Sequence, residues 1–383
     1  MSSGGPLGLT SVGLAIVLVV LAVAAPVGVG LLWWWRRPAR RWLTGTLGVG
    51  AVVVGQVAAV AAVFALVNQQ YDFYASWSDL LGNGSAATSD QGVSTGTSHP
   101  GGGRTEVIHI AGTASHASGF ALVWLPRQYD EPAYRHHRFP VVEFLPGQPE
   151  QPLGAFSAFN LASDAAHEID SGRVAPFVLV VPPLMIRPPH DTECTNIPHG
   201  PQALTWLSQD VPHAITARLR VQPPGRHWSV MGWSTGGFCA AKLLYTDHRE
   251  FASAVSIGAY FQPITEGSWP RLFGVGRHAQ TVRRLNSPQW LYRHTLAGLR
   301  ARLLIVSSRQ DKESWPSTAR MLAVTTDSTA VGHIALTDGG HNFRVYEPYV
   351  GPALRWLATT GSLGSAGSTS RAASGATSGS TSS

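Results

Sequence analysis

Ser234 is the residue around which chemistry can most directly be built in this chain. It stands in Gly232-Trp233-Ser234-Thr235-Gly236, after the apolar run "HWSVMG" and before "GGFCAAKLLYTDH", whose spacing is helical. A serine hydroxyl is a weak nucleophile at neutral pH and needs a base to take its proton. A sharp strand-to-helix turn would expose that hydroxyl on a strained backbone, where Cβ atoms at the flanking positions would clash, so glycine on both sides is expected. The helix that follows would aim its free N–H groups at the place where negative charge develops. The pentapeptide alone is equally compatible with an ordinary glycine-rich loop, so the assignment depends on a histidine and an acid later in the chain.

Both are present in the order this chemistry uses. His341 lies in "TDGGHNFRVYEP", beyond the expected last strand, and is the candidate base. Asp311 and Glu313 follow the strand-like run "ARLLIVSS". A carboxylate there would orient the imidazole and stabilise its charged form. Asp311 is nearer the strand end and is the expected acid; Glu313 is the alternative, and Asp338, only three residues before His341, ranks behind both. Two backbone donors are needed for the oxyanion. They are expected from the N–H of Thr235 and from the N–H of Gln148, in the loop after "VVEFLPG". No HExxH or CxxC pair occurs, and His190, Asp191 and His199 read as loop polar groups rather than metal ligands. Gly101-Gly102-Gly103 lacks the Gly-Lys-Ser/Thr of a phosphate loop, so neither metal nor cofactor is expected.

The elements that must carry these residues alternate. "EVIHIAG", "GFALVWLP", "FPVVEFLPG", "FVLVVPP", "HWSVMG", "ASAVSIGAYF", "ARLLIVSS" and "HIALTDG" read as strands. "GAFSAFNLASDAAHEIDSG", "PQALTWLSQDVPHAITARL", "GGFCAAKLLYTDH" and "EPYVGPALRWLAT" read as helices, with Pro212 bending the second or starting a new one. Near-continuous apolar strands between helices predict an α/β fold, a mainly parallel sheet covered on both faces. The polar insertion over residues 261–286 is long enough to cover the site.

The 383-residue chain is 44 % apolar and 13 % charged, and the apolar excess is N-terminal. Residues 12–35 and 42–71 carry no charge, and Arg36-Arg37-Pro38-Ala39-Arg40-Arg41 lies between them. Each stretch exceeds the roughly 20 residues that cross a bilayer. A cleaved signal peptide would have a basic region before the first stretch, whereas here the arginines follow it. Two transmembrane helices (about 12–35 and 43–67) are therefore expected in a membrane anchor spanning 1–81. The arginine loop would be cytoplasmic, Trp33, Trp34, Trp35 and Trp42 would lie at that interface, and the catalytic domain would be extracytoplasmic, outside the plasma membrane. A Gly/Ser/Thr linker is expected over 82–103, the folded domain over 104–358 and a disordered tail over 359–383. The net charge of +6 includes no basic–aromatic stripe, so nucleic acid is not an expected partner.

In an oxidising compartment the two cysteines, Cys194 and Cys239, can pair; two buried thiols are the alternative. Cys239 is five residues after Ser234, and Cys194 follows "FVLVVPP", a strand expected beside the nucleophile strand.

With "VVEFLPG", "DTECTN", "TWLSQDVPHAI", "VMGWSTGGFCAAKLLYTDHREFASAVSIGAY" and "DGGHNFRVYEPYVGPALRWL", most of residues 139–357 resembles the putative esterase family of α/β-hydrolases. That family includes esterase D-like enzymes, enterochelin esterases and mycolyltransferases, and the hairpin resembles its membrane-anchored bacterial members. The resemblance implies Ser234 as nucleophile, His341 as base and an acid at or near Asp311; some members use glutamate, which keeps Glu313 open. The expected activity is that of a serine esterase or acyltransferase acting on acyl esters, lipid or sugar esters among them, through an acyl-enzyme. The N-terminal hairpin would sit in a lipid bilayer. The competing reading is a catalytically silent surface binding protein on the same fold.

Overall fold

The computed structural model describes residues 11–35, 41–71, 97–98, 102–188, 190–265, 269–295, 301–325, 330–337 and 339–363. The chain forms two compact units, Met1–Asp90 and Gln91–Ser383. In the first, α1 (Val12–Trp35) packs against α2 (Arg41–Tyr71). Small residues line the contact: Ala58, Ala62 and Ala65 are buried, and a Cβ on Gly55 would stand 3.2 Å from the Ala22 carbonyl oxygen. Valines 17, 20, 53, 57 and 60 face outward. Small residues thus lie between the helices and apolar side chains face outward. Each helix contains a 20-residue window of mean hydropathy 2.8 or 2.4, long and apolar enough to cross a membrane. The arginine loop over 36–40 and the side chains of the four boundary tryptophans lie outside the described residues.

The second unit is built on a nine-stranded sheet of order β1-β2-β3-β5-β4-β6-β7-β8-β9. Its strands are β1 (Thr97–Ser98), β2 (Arg104–Ala111), β3 (Ser118–Leu125), β4 (Val141–Leu145), β5 (Val178–Val181), β6 (Gly225–Trp233), β7 (Phe251–Ile257), β8 (Arg302–Ser308) and β9 (Val331–Leu336). Pairing is antiparallel from β1 to β5 and parallel from β5 through β9. The helices of this unit are α3 (Pro152–Ala158), α4 (Leu161–Asp170), α5 (Val211–Arg218), α6 (Thr235–Thr246), α7 (Gly276–Leu285), α8 (Pro288–Thr295), α9 (Trp315–Leu322), α10 (Phe343–Tyr346) and α11 (Val350–Thr359). Successive strand residues serve opposite faces. Val230 joins the cluster containing Val211, Ile215, Phe238 and Leu243, whereas Met231 joins that of Phe159, Leu161, Leu354 and Leu357. The expected α/β-hydrolase layering is thus observed, with an antiparallel edge.

The structure refines several expectations. The first expected helix breaks at Asn160, whose φ of 46° ends α3 and starts α4. The next becomes a helical turn at Ala203–Thr205, a π-helical Trp206–Asp210 and α5, with Pro212 in the first turn of α5, where its missing N–H costs nothing. Thr97–Ser98, within the segment read as linker, pair with β2. Past residue 358 the chain stays packed, with Ser362 and Leu363 each 1 % exposed. β4 lies between β5 and β6, so, contrary to expectation, the strand before Cys194 is not the immediate neighbour of the strand that ends at Ser234.

Two attachments share one end of the sheet. Arg104 pairs with Leu125 at the end where β5 begins, and the Thr360 hydroxyl meets Ser253, at the start of β7, at 2.9 Å. The opposite, C-terminal strand ends carry the candidate site.

Candidate active site

Ser234 joins β6 to α6 with φ 53° and ψ −118°, outside the regions that L-residues favour. The strain is held by bonds on both sides: Ser234 N–H donates to the Ile257 carbonyl at 2.9 Å, and Phe238 N–H to the Ser234 carbonyl at 3.0 Å. The flanking glycines are obligatory at this turn. A Cβ on Gly232 would overlap the Gly236 backbone, and one on Gly236 would overlap the Leu145 carbonyl oxygen.

Three chain segments converge on the serine. Ser234 Oγ is 2.9 Å from His341 Nε2, and His341 Nδ1 is 2.8 Å from Asp311 Oδ2. The imidazole stacks on Trp233, with ring centroids 4.5 Å apart and planes at 22°, which fixes its orientation. Asp311 is fully buried just past β8. Its Oδ2 accepts from Ser314 Oγ (2.6 Å) and Tyr346 OH (2.7 Å), and its Oδ1 from the N–H groups of Glu313 (3.1 Å) and Ser314 (3.0 Å). Burial alone would raise its pKa. The bond and charge of His341, with the Ser314 and Tyr346 hydroxyls, outweigh that and hold it at about 2.

Glu313 occupies a different place. Its carboxylate is exposed and lies 3.7 Å from His341 Nε2, the nitrogen that faces Ser234, and it accepts no bond from Nδ1. Asp338 lies outside the described residues. Thr235 is buried at the start of α6. The loop carrying Gln148 lies against Ser234: a Cβ on Gly147 would be 3.4 Å from Ser234 Cβ. His190 meets Trp269 edge-on and His199 is exposed; among the described residues no cluster of three His, Cys, Asp or Glu could hold a metal. Cys194 and Cys239 are joined, with Cα atoms 5.9 Å apart.

Sequence reasoning missed a buried polar layer beneath the site. Tyr260, following β7 and stacked on Phe238, donates its hydroxyl to Glu193 Oε1 at 2.7 Å and stands 3.2 Å from Thr235 Oγ1. Glu193 is 2 % exposed with φ 48°. Burial, and then the charge of Asp191, push its pKa well above the carboxylate range. Lys242 of α6 is fully buried and donates to the carbonyls of Glu193 (3.0 Å) and Cys194 (2.8 Å) and to Thr195 Oγ1 (2.9 Å). Burial lowers its pKa to about 7, against the pull of Glu193, Asp247 and Asp191. A lone lysine in the apolar helix "GGFCAAKLLY" was the available signal: such a cation must be met by acceptors from elsewhere. The polar loop "DTECTN" supplies them.

This chain belongs to the Putative esterase family, whose model matches residues 120–355. It is 25 % identical over 280 residues to an uncharacterized protein of Corynebacterium glutamicum, covering 67 % of this chain and 62 % of that one. Among solved structures, a ferulic acid esterase superposes with a TM-score of 0.57 at 15 % identity, over 67 % of this chain and 98 % of the other. An S-formylglutathione hydrolase from Agrobacterium tumefaciens gives 0.57 at 18 %, over 72 % and 100 %. MPT51 (FbpC1) of Mycobacterium tuberculosis gives 0.52 at 14 %, over 68 % and 99 %. These three share the fold with the second unit.

Proposed function

We propose that Ser234, His341 and Asp311 form a catalytic triad that transfers an acyl group through an ester on Ser234. His341 Nε2 takes the Ser234 proton as Oγ attacks the ester carbonyl. Asp311 holds the other ring nitrogen and stabilises the imidazolium. The N–H groups of Thr235 and Gln148 receive the oxyanion. Collapse of the tetrahedral adduct breaks the acyl–oxygen bond, and His341 returns the proton to the departing alcohol. Water or a second alcohol then takes the acyl group by the reverse sequence. The observation that carries this reading is the unbroken line Ser234–His341–Asp311, at 2.9 and 2.8 Å, on a serine held at φ 53°. No cofactor enters these steps.

We further propose that α1 and α2 anchor the protein in the plasma membrane with the catalytic unit on the extracytoplasmic side. Their apolar, outward-facing valines support the anchor, and the arginine run between them supports the orientation. The test for catalysis is labelling with a fluorophosphonate probe, followed by peptide mapping. Wild type is expected to carry one adduct, on Ser234, and Ser234→Ala none. An unlabelled wild-type protein would mark a silent binding protein. For topology, Ser2→Cys is expected to react with an impermeant maleimide in intact cells; reaction only after permeabilisation would reverse the orientation.

A further inference from the structure

One stretch of the second unit is basic throughout. Between Glu266 and Asp311 the sequence holds eight arginines and no aspartate or glutamate. Without those eight the chain's net charge of +6 would be −2, so its surplus of positive charge resides here. The stretch begins in the insertion after β7, at the strand ends that carry the candidate site, where the Ile257 carbonyl accepts Ser234 N–H at 2.9 Å.

The insertion packs inward on the segment after β5. Trp269 N–H donates to the Asp191 carbonyl at 2.7 Å, and Leu272 and Phe273 cluster with Ile197, with Ala279 and Val282 of α7 against them. Ala279 and Val282 are three residues apart and share one face of α7. Arg277, Thr281 and Arg284 share the opposite face, and all three are exposed, as is Arg271 in the turn before the helix. Arg283 donates to the Pro263 carbonyl at 3.0 Å. Arg271, Arg277 and Arg284 make no ion pair among the described residues. Asp191 and Glu193, in the segment beneath, are each 2 % exposed and do not reach the outer surface.

The same surface carries apolar side chains. Val275 and Leu285, at the two ends of α7, are 68 % and 48 % exposed. With Ile264 they are three of the five large apolar side chains exposed among the described residues of the second unit. A basic helix flanked by exposed aliphatic groups fits a surface that is anionic outside and apolar just below, which is lipid headgroups over acyl chains. A soluble polyanion would match the arginines and leave the aliphatic groups in water.

We propose that α7 and the turn before it are a docking surface for anionic lipid headgroups. Arg271, Arg277 and Arg284 meet the headgroups, and Val275 and Leu285 enter between them. This goes beyond the anchor proposed above, which only keeps a bilayer within reach. The 25 residues between Tyr71 and Thr97 can span up to about 80–90 Å, against about 30 Å for the nine residues of β6, so the tether lets either end of the sheet meet the bilayer. Docking through α7 turns the end that carries Ser234 toward the lipid.

The test uses the full chain in nanodiscs of phosphatidylcholine, with or without phosphatidylglycerol. Both native cysteines are bridged, so an environment-sensitive fluorophore can be placed on Val275→Cys alone. Its quenching by a nitroxide on the headgroups is expected to be about threefold or more stronger in the anionic discs, and to fall to the neutral value in high salt. The same label on His248→Cys, exposed at the end where the parallel strands begin, should be quenched in neither disc. Arg271→Gln/Arg277→Gln/Arg284→Gln should lose the difference while keeping the wild-type Tm; should that variant not fold, the salt response, which keeps all three arginines, decides. Equal quenching in the two discs, or at the two labelled positions, overturns the docking surface. So does binding of soluble polyphosphate by a chain whose Val275 label the anionic discs leave unquenched. A chain that does not stay in the discs counts against α1 and α2 as the anchor; titrated with vesicles of the same two compositions, its Val275 label still decides on α7.

Discussion

Replacing Asp311 by asparagine tests the site at its most buried point. The carboxylate accepts five bonds, three of them on Oδ2: from His341 Nδ1, Ser314 Oγ and Tyr346 OH. Asparagine keeps the shape but has one acceptor oxygen. Oδ1 faces two backbone N–H groups that cannot turn away, so the amide oxygen stays there and Nδ2 takes the place of Oδ2. The amide N–H groups then point at His341 Nδ1, which must accept, and the ring proton moves to Nε2. A protonated Nε2 donates to Ser234 and cannot serve as its base. The expected loss of kcat is on the order of 10⁴-fold, the size seen for a triad aspartate-to-asparagine change, or about 5 kcal/mol of barrier. Stability should fall as well, because a carboxylate held at about 2 contributes about 2–3 kcal/mol relative to an unfolded value near 3.9. That contribution is complete above pH 4 and disappears as pH falls through 2, so acid should narrow the gap in Tm between wild type and variant. The assay is single-turnover acylation with p-nitrophenyl butyrate, beside thermal unfolding from pH 2.5 to 7. Glu313→Gln is expected to change kcat less than tenfold, since Glu313 meets Nε2 from solvent at 3.7 Å. Near-normal turnover by Asp311→Asn, with collapse in Glu313→Gln, would refute the reasoning and hand the role to Glu313.

Three further outcomes are expected. Gly236→Ala should reduce phosphonate labelling by 10²-fold or more, because its Cβ meets the Leu145 carbonyl and either the Gln148 loop or the nucleophile helix must move; a normal labelling rate would mean the turn yields. Cys194→Ala should lower stability by about 3–4 kcal/mol, the loop-closure value for a 45-residue separation, and wild type treated with reductant should match it in denaturant titrations. Lys242→Met should change how stability varies with pH. The unfolded chain takes up a proton near 10.5 that folded Lys242 refuses until about 7, so wild-type stability rises from pH 7 to 10 by up to about 1.4 kcal/mol per unit, and the variant should lose this slope. Parallel curves for the two proteins would show that Lys242 is charged at neutral pH.

The sequence made legible those parts of the site that sit at the ends of apolar strands. Ser234 and Asp311 follow "HWSVMG" and "ARLLIVSS", and a strand end is a position that periodicity locates well. His341 follows from the same logic one strand later. Strand order was not legible in this way: nothing local to "VVEFL" or "VLVV" says that β4 inserts between β5 and β6, because that pairing is settled by crossovers. The layer beneath the site was hidden for another reason. Tyr260, Glu193 and Lys242 come from three separated segments and acquire a role only when each finds the others in the interior. Asn160 shows the limit at the smallest scale, since a single left-handed residue splits a pattern whose apolar spacing reads as one helix.

The position of Arg104 and of the Thr360–Ser253 bond has a practical side. β2 starts, and the segment after the last helix packs, at the end of the sheet where the parallel strands begin, while Ser234 lies at the other end. A bead, a reporter protein or a display scaffold joined before Arg104 or after Leu363 therefore meets the back of the molecule. Immobilised at either of these points, the second unit would turn its candidate site toward the bulk solution.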